Sequence, residues 1–177
     1  MTRPAHDGHS FLSQSSEQTR RAGAVIGERL RSGDVIALCG PLGAGKTELV
    51  KGIAAGLGVP ADQRVSSPTF VLVREYAGRL TLFHIDAYRL SGASELSELG
   101  FNEFCELPDA AVAIEWADRV PKALPAGVIR IELGHAGENQ RSMCISTAAE
   151  NPVVVEICRE FAGFMTRQVA ENHESGG

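Results

Sequence analysis

Lysine is scarce in this chain: three in 177 residues, at positions 46, 51 and 122. The net charge is −5, and no dense basic run offsets it. Binding nucleic acid without regard to sequence needs many Lys and Arg side chains against phosphates. A long nucleic-acid footprint is therefore not expected, and only a local arginine patch stays open. No apolar run reaches the 18 or so residues of a membrane span. The opening MTRPAHDGHSFLSQSSEQ lacks the apolar core of a secretory leader, so the expected compartment is the cytoplasm, with no membrane attachment. The four cysteines, Cys39, Cys105, Cys144 and Cys158, never fall at CxxC spacing. That spacing argues against a zinc or dithiol site and for reduced thiols. Also missing are an Asn-Lys-x-Asp element, which disfavours a GTPase, and the Ser-Gly-Gly signature of transport ATPases.

What remains is an ordinary globular composition, 44% apolar and 22% charged, in a length that suits one domain. Residues 1–14 are polar and mixed and read as a frayed end, with a domain over 15–170 and a flexible tail over 171–177. Ser15 and Gln18 match a capping box, and Ala22, Val25, Ile26 and Leu30 recur at helical spacing, which predicts a helix from about 16 to 31. Val35 to Cys39 is a short continuous apolar run, the mark of a strand buried on both faces. After a glycine-rich stretch, Leu49, Val50, Ile53, Ala54 and Leu57 predict a second helix, ended by Gly58 and Pro60. Phe70 to Tyr76 and Leu80 to Ile85 read as a hairpin around Ala77-Gly78-Arg79. Residues 91–106 read as an acidic helix interrupted near Gly100. Ala111 to Ile114, Val128 to Leu133 and Ser142 to Ser146 are three further strands. Asn151-Pro152 opens a last helix carrying Val154, Ile157, Cys158, Phe161 and Met165. The order predicts an α/β fold: a mixed sheet flanked by helices in a single compact domain.

The glycine-rich stretch, Gly40-Pro41-Leu42-Gly43-Ala44-Gly45-Lys46-Thr47, matches GxxxxGK[ST], with a buried-type strand before it and an amphipathic helix after it. In such a loop successive backbone N–H groups wrap a phosphate, and the helix N-terminus adds its positive dipole end. Lys46 would reach the β- and γ-phosphate oxygens, and Thr47 would offer its hydroxyl to Mg²⁺. Glu48 follows directly, so its carboxylate must either point away from the phosphates or pair with a cation. The alternative is a plain glycine turn with a solvated lysine.

Phosphoryl transfer from ATP also calls for a carboxylate at a neighbouring strand end. Asp86 ends Leu82–Ile85 and Glu115 ends Ala111–Ile114. Either could hold the metal or its waters, or orient the attacking water; a structural ion pair is the competing reading for each. His84 lies two residues before Asp86, hence on the same strand face, as a site residue or a buried histidine with a satisfied hydrogen bond. Arg89 suits a phosphate contact or a salt bridge equally. Trp116, the one tryptophan, is either a partner-facing anchor or core. Thr69, in Ser67-Pro68-Thr69, could sense a γ-phosphate or simply close a capped loop.

Taken together, GPLGAGKT, SSPTFVLVREY, HIDAYRL, ELGFNEF and AIEWADRV, in that order, resemble the bacterial TsaE family of small P-loop ATPases, over roughly residues 16–146. The resemblance implies a part in placing a threonylcarbamoyl group on the tRNA adenosine beside the anticodon. It implies cycles of ATP binding and hydrolysis together with TsaD and TsaB, with the transfer chemistry belonging to TsaD; the acidic net charge agrees with a subunit that leaves tRNA contact mainly to its partners. By position it implies a phosphate cradle at Gly43, Ala44, Gly45, Lys46 and Thr47 with Glu48 beside it. It also implies Thr47 as a magnesium ligand, Asp86 as a Walker-B-like acid and Glu115 as a second metal-side carboxylate. Thr19 matches a family threonine near the nucleotide, and Arg141 a late arginine of open role. Pro41 and Glu48 depart from the family pattern, where Asp or Asn and Thr are frequent. Two rivals remain. A small-molecule kinase usually carries an arginine-rich lid, but between 118 and 142 only Arg119, Arg130 and Arg141 occur, widely spaced. A nucleotide-gated interaction protein would bind ATP with negligible hydrolysis.

Overall fold

The computed structural model describes residues 9–162. Seven strands form one mixed sheet in the order β1-β7-β6-β2-β5-β4-β3. Four parallel strands make its centre: β6 (Ile129–His135), β2 (Val35–Cys39), β5 (Ala110–Glu115) and β4 (Thr81–Asp86). Antiparallel strands finish both edges, β3 (Val73–Tyr76) on β4, and β7 (Arg141–Ser146) with β1 (His9–Ser13) on the other side. Every residue of β2 and β5 is buried, as the continuous apolar runs require of strands covered on both faces.

Helices α1 (Ser16–Arg29), α2 (Lys46–Gly56) and a last helix over 152–162 cover one face. The short helices α3 (Ala93–Glu98) and α4 (Phe101–Glu106) cover the other. Ser15 caps α1 by accepting from the Gln18 N–H at 3.2 Å. The Gln18 side chain reaches back to the Gln14 N–H at 2.6 Å, so the box closes one residue earlier than the usual pattern. Gly23 and Gly52 let α1 and α2 touch backbone to backbone: a Cβ on Gly23 would strike the Leu49 carbonyl, and one on Gly52 the Arg20 carbonyl. This contact sets the position of α2, and so of the phosphate loop, against the rest of the molecule.

Two expectations need correction. Residues 9–13 are not frayed; they form edge strand β1, in register with Arg141–Ile145 of β7. Local sequence does not announce this strand, because pairing with β7 supplies its order. The strand expected from Phe70 starts only at Val73. The Pro68 carbonyl accepts from the N–H groups of both Val71 and Leu72, and Leu72 takes a left-handed φ of 64°. That turn leaves Phe70 and Val71 exposed. The acidic segment is interrupted at Gly100, as expected, where φ is 90°, and so forms two short helices. Residues 1–8, Met165 and the 171–177 tail lie outside the described residues. Among those described, no helix is long and apolar enough to cross a membrane.

Candidate nucleotide site

Strands β2, β5 and β4 run in parallel and end together, with Leu38 opposite Glu115 and Asp86 opposite Glu115 in register. Ligands of open α/β sheets bind at this carboxyl edge. The chain leaving β2 turns through the glycine loop into α2, whose N-cap Gly45 has φ 99°, a backbone state that side chains with a Cβ resist. A cavity of ≈ 570 Å³ opens there. Gly43, Gly45, Lys46, Thr47, Glu48, Asp86 and Glu115, all expected from sequence, line it. Leu42, Ser67, Thr69, Tyr88 and Trp116 complete the wall.

The Lys46 ammonium donates to the Gly40 carbonyl at 2.7 Å and the Pro41 carbonyl at 2.9 Å. It also stands 3.5 Å over the Trp116 ring, a cation–π contact. Trp116 is therefore neither plain core nor a free anchor: it roofs the lysine. It does so from a left-handed φ of 59°, a conformation that costs a bulky residue of order 1–3 kcal/mol and clusters at functional sites. Burial holds the Lys46 ammonium below its ordinary pKa, while Glu115, Asp118 and Asp86 pull the other way.

The Thr47 hydroxyl donates to both Glu115 oxygens, at 2.8 and 3.1 Å. Its lone pairs stay available to a cation. Glu115 is buried, and its Oε1 also meets His84 Nε2 at 2.8 Å. Asp86 is wired differently. Its Oδ2 accepts from Ser67 Oγ at 2.9 Å and Thr69 Oγ1 at 3.1 Å, and its Oδ1 from the Tyr88 N–H at 3.0 Å. Among the described residues no cluster of three His, Cys, Asp or Glu side chains suits a metal. Mg²⁺ needs none, since it is commonly held by one or two carboxylates, waters and substrate phosphates. The hard oxygens of Thr47, Glu115 and Asp86 fit that ion.

Glu48, despite its place beside the phosphates' expected seat, pairs with Arg20 at 2.9 Å and Lys51 at 2.6 Å. Ala44 is fully buried behind the loop, its N–H bonded to the Pro41 carbonyl at 3.2 Å. Thr19 does not line the cavity. Its hydroxyl meets Ser13 Oγ at 2.8 Å and the Ser15 carbonyl at 3.2 Å, and its methyl carbon lies 3.8 Å from where a Gly45 Cβ would stand. Arg141 donates to the Gly43 carbonyl at 3.3 Å, and His135 Nε2 lies 3.2 Å from the Leu42 carbonyl. These partners of the loop are register mates at the end of the β6–β7 hairpin. His135 carries no local signal, since the contact spans 93 residues of sequence.

Fold and loop together define a phosphate-loop α/β protein. The particular family follows from comparison: the family model described as "Threonylcarbamoyl adenosine biosynthesis protein TsaE" matches residues 13–143. The chain belongs to the TsaE family. It is 39% identical over 135 residues to the tRNA threonylcarbamoyladenosine biosynthesis protein TsaE of Treponema pallidum, covering 76% of this chain and 98% of that protein. It is 35% identical over 147 residues to the Bacillus subtilis protein of the same name, covering 82% and 89%. Among solved structures, the crystal structure of Bacillus subtilis YdiB superposes with a TM-score of 0.74 at 27% identity, covering 92% of this chain and 99% of that one.

Proposed function

We propose that the protein is a Mg²⁺-dependent ATPase of tRNA threonylcarbamoyladenosine biosynthesis, weak alone and stimulated in a cytoplasmic complex with TsaD and TsaB. The observation that carries the reading is the convergence of Lys46, Thr47, Asp86 and Glu115 on one cavity at the sheet's carboxyl edge. Family membership supplies the pathway. The acidic net charge of −5 supports a subunit that meets tRNA through its partners.

ATP is the substrate. The loop amides and the α2 N-terminus bind its phosphates, and Lys46 exchanges the Gly40 and Pro41 carbonyls for phosphate oxygens. Mg²⁺, held by Thr47 with Glu115 and Asp86, would neutralise charge that builds on the transferred phosphoryl group. A carboxylate of the pair orients the attacking water, and Trp116 screens Lys46 from solvent, which strengthens its pull on anions. A kinase-type lid has little support: Arg130 is paired with Glu132 at 3.1 Å, Arg119 lies over the Tyr88 ring, and Arg141 is spent on backbone carbonyls.

The test is Lys46→Ala, assayed for ATP turnover with TsaD and TsaB present and for modified tRNA. Turnover falls to background and modification stops while the thermal melt stays cooperative. Wild-type turnover in the variant would sink the reading.

A further inference from the structure

His84 is fully buried on β4, between the strands that carry Arg74 and Ala113 opposite it. Ala113 is small, which leaves the imidazole room to reach Glu115 two residues further along β5. The Tyr76 ring is its aromatic neighbour, 6.3 Å between centroids. Nε2 stands 2.8 Å from Glu115 Oε1. Among the described residues, Nδ1 is buried with no hydrogen-bond partner. A carboxylate oxygen accepts, so Nε2 donates; and a hydrogen on Nδ1 would be a buried donor with nothing to bond, the costly arrangement. The tautomer is therefore fixed with its hydrogen on Nε2.

This makes the two oxygens of Glu115 unequal. Among the described residues, Oε1 accepts from His84 at 2.8 Å and Thr47 at 2.8 Å, and Oε2 accepts only from Thr47, at 3.1 Å. We propose that His84 is a positioning residue of the nucleotide site: its Nε2–H saturates Glu115 Oε1, fixes the carboxylate plane, and reserves Oε2 for the divalent cation beside Thr47. Groups of this kind, one shell behind a metal-side ligand, typically change metal affinity 10–100-fold when removed. The inference rests on the Mg²⁺–nucleotide reading above and deepens it.

Two isosteres separate positioning from mere packing. In His84→Gln the amide nitrogen stands where Nε2 was; in His84→Asn it stands where Nδ1 was. ADP binding is measured by calorimetry in EDTA and across a Mg²⁺ titration. The Mg²⁺ concentration giving half of the affinity gain is expected to rise about tenfold in His84→Asn and to stay near wild type in His84→Gln, with ADP affinity in EDTA unchanged in both. Equal behaviour of the two variants, or a wild-type Mg²⁺ response in His84→Asn, overturns the proposal. In the unmutated protein, imidazole nitrogen NMR is expected to show Nε2 protonated and Nδ1 bare; a hydrogen on Nδ1 overturns it without any variant. Failure of the underlying reading looks different: the wild-type protein would then bind no ADP, with or without Mg²⁺.

Discussion

Asp86 and Glu115 end adjacent strands, face each other in register and line the same cavity, yet they are held by opposite kinds of structure. Glu115 is tied to His84 within the sheet and to Thr47 on the first turn of α2. Its partners belong to packed elements, and α2 is itself locked to α1 by backbone contact at Gly23 and Gly52. Asp86 is tied through Oδ2 to two hydroxyls of the 66–72 loop, a segment that ends in a strained turn with Phe70 88% exposed. Thus one acid has a fixed place, and the other answers to a surface loop. Regions with few buried contacts open at low free-energy cost, so on the proposed reading a divalent cation that takes up Asp86 would release the Ser67 and Thr69 hydroxyls and free the loop to reorder.

The largest expected difference is in stability. Glu115→Ala strands the buried His84 donor, which costs about 2 kcal/mol, and it also removes the Mg²⁺ dependence of ADP binding. In Asp86→Ala the Ser67 and Thr69 hydroxyls turn to water, and the loss stays below about 1 kcal/mol. Urea denaturation measures both, and equal losses would break the contrast.

A second effect comes from the last helix. Burial, with Cys144 nearby, pushes the Cys158 thiol up from 9.0 to about 11. A group whose folded pKa is raised stabilises fully below its unfolded value and loses that contribution as pH rises through the folded one. Stability is therefore expected to fall between pH 9 and 11, and the fall is shallower in Cys158→Ala. Cys39 and Cys105, raised by burial as well, keep a residual slope. Denaturation midpoints across that range check this, and an unchanged slope in the variant refutes it.

The smallest effect belongs to the loop. Ser67→Ala with Thr69→Ala should change global stability by no more than about 0.5 kcal/mol, but speed tryptic cleavage at the exposed Arg64. If the melt drops as far as in Glu115→Ala, the loop is part of the rigid body and the comparison fails.

Much of the site is legible in the residue string because its pieces are local. GPLGAGKT needs only a strand before it and a helix after it, and both signals, a continuous apolar run and a helical period, are strong. The acids Asp86 and Glu115 each end an apolar run, which places them at a sheet edge without knowing the strand order. Other pieces are not local. That Thr47 bonds Glu115, 68 residues away, and that Asp86 bonds the loop depend on β5 lying beside β2 with β4 beyond it. Strand β1 escaped notice because five residues at a sheet edge borrow their order from β7. The apolar Phe70-Val71-Leu72 run misleads for a related reason: alternation cannot show that the Pro68 carbonyl is taken by a turn.

Sequence alone determined the glycine loop between strand and helix, the buried strands and the two carboxylates at strand ends, since each follows from a few neighbouring residues and their backbone preferences. Only the tertiary structure decided how those carboxylates differ, why Glu48 turns away to Arg20 and Lys51, and what covers Lys46. Those answers are distances between groups far apart in the chain, and such distances are set when the sheet pairs and the two glycine-faced helices close on each other.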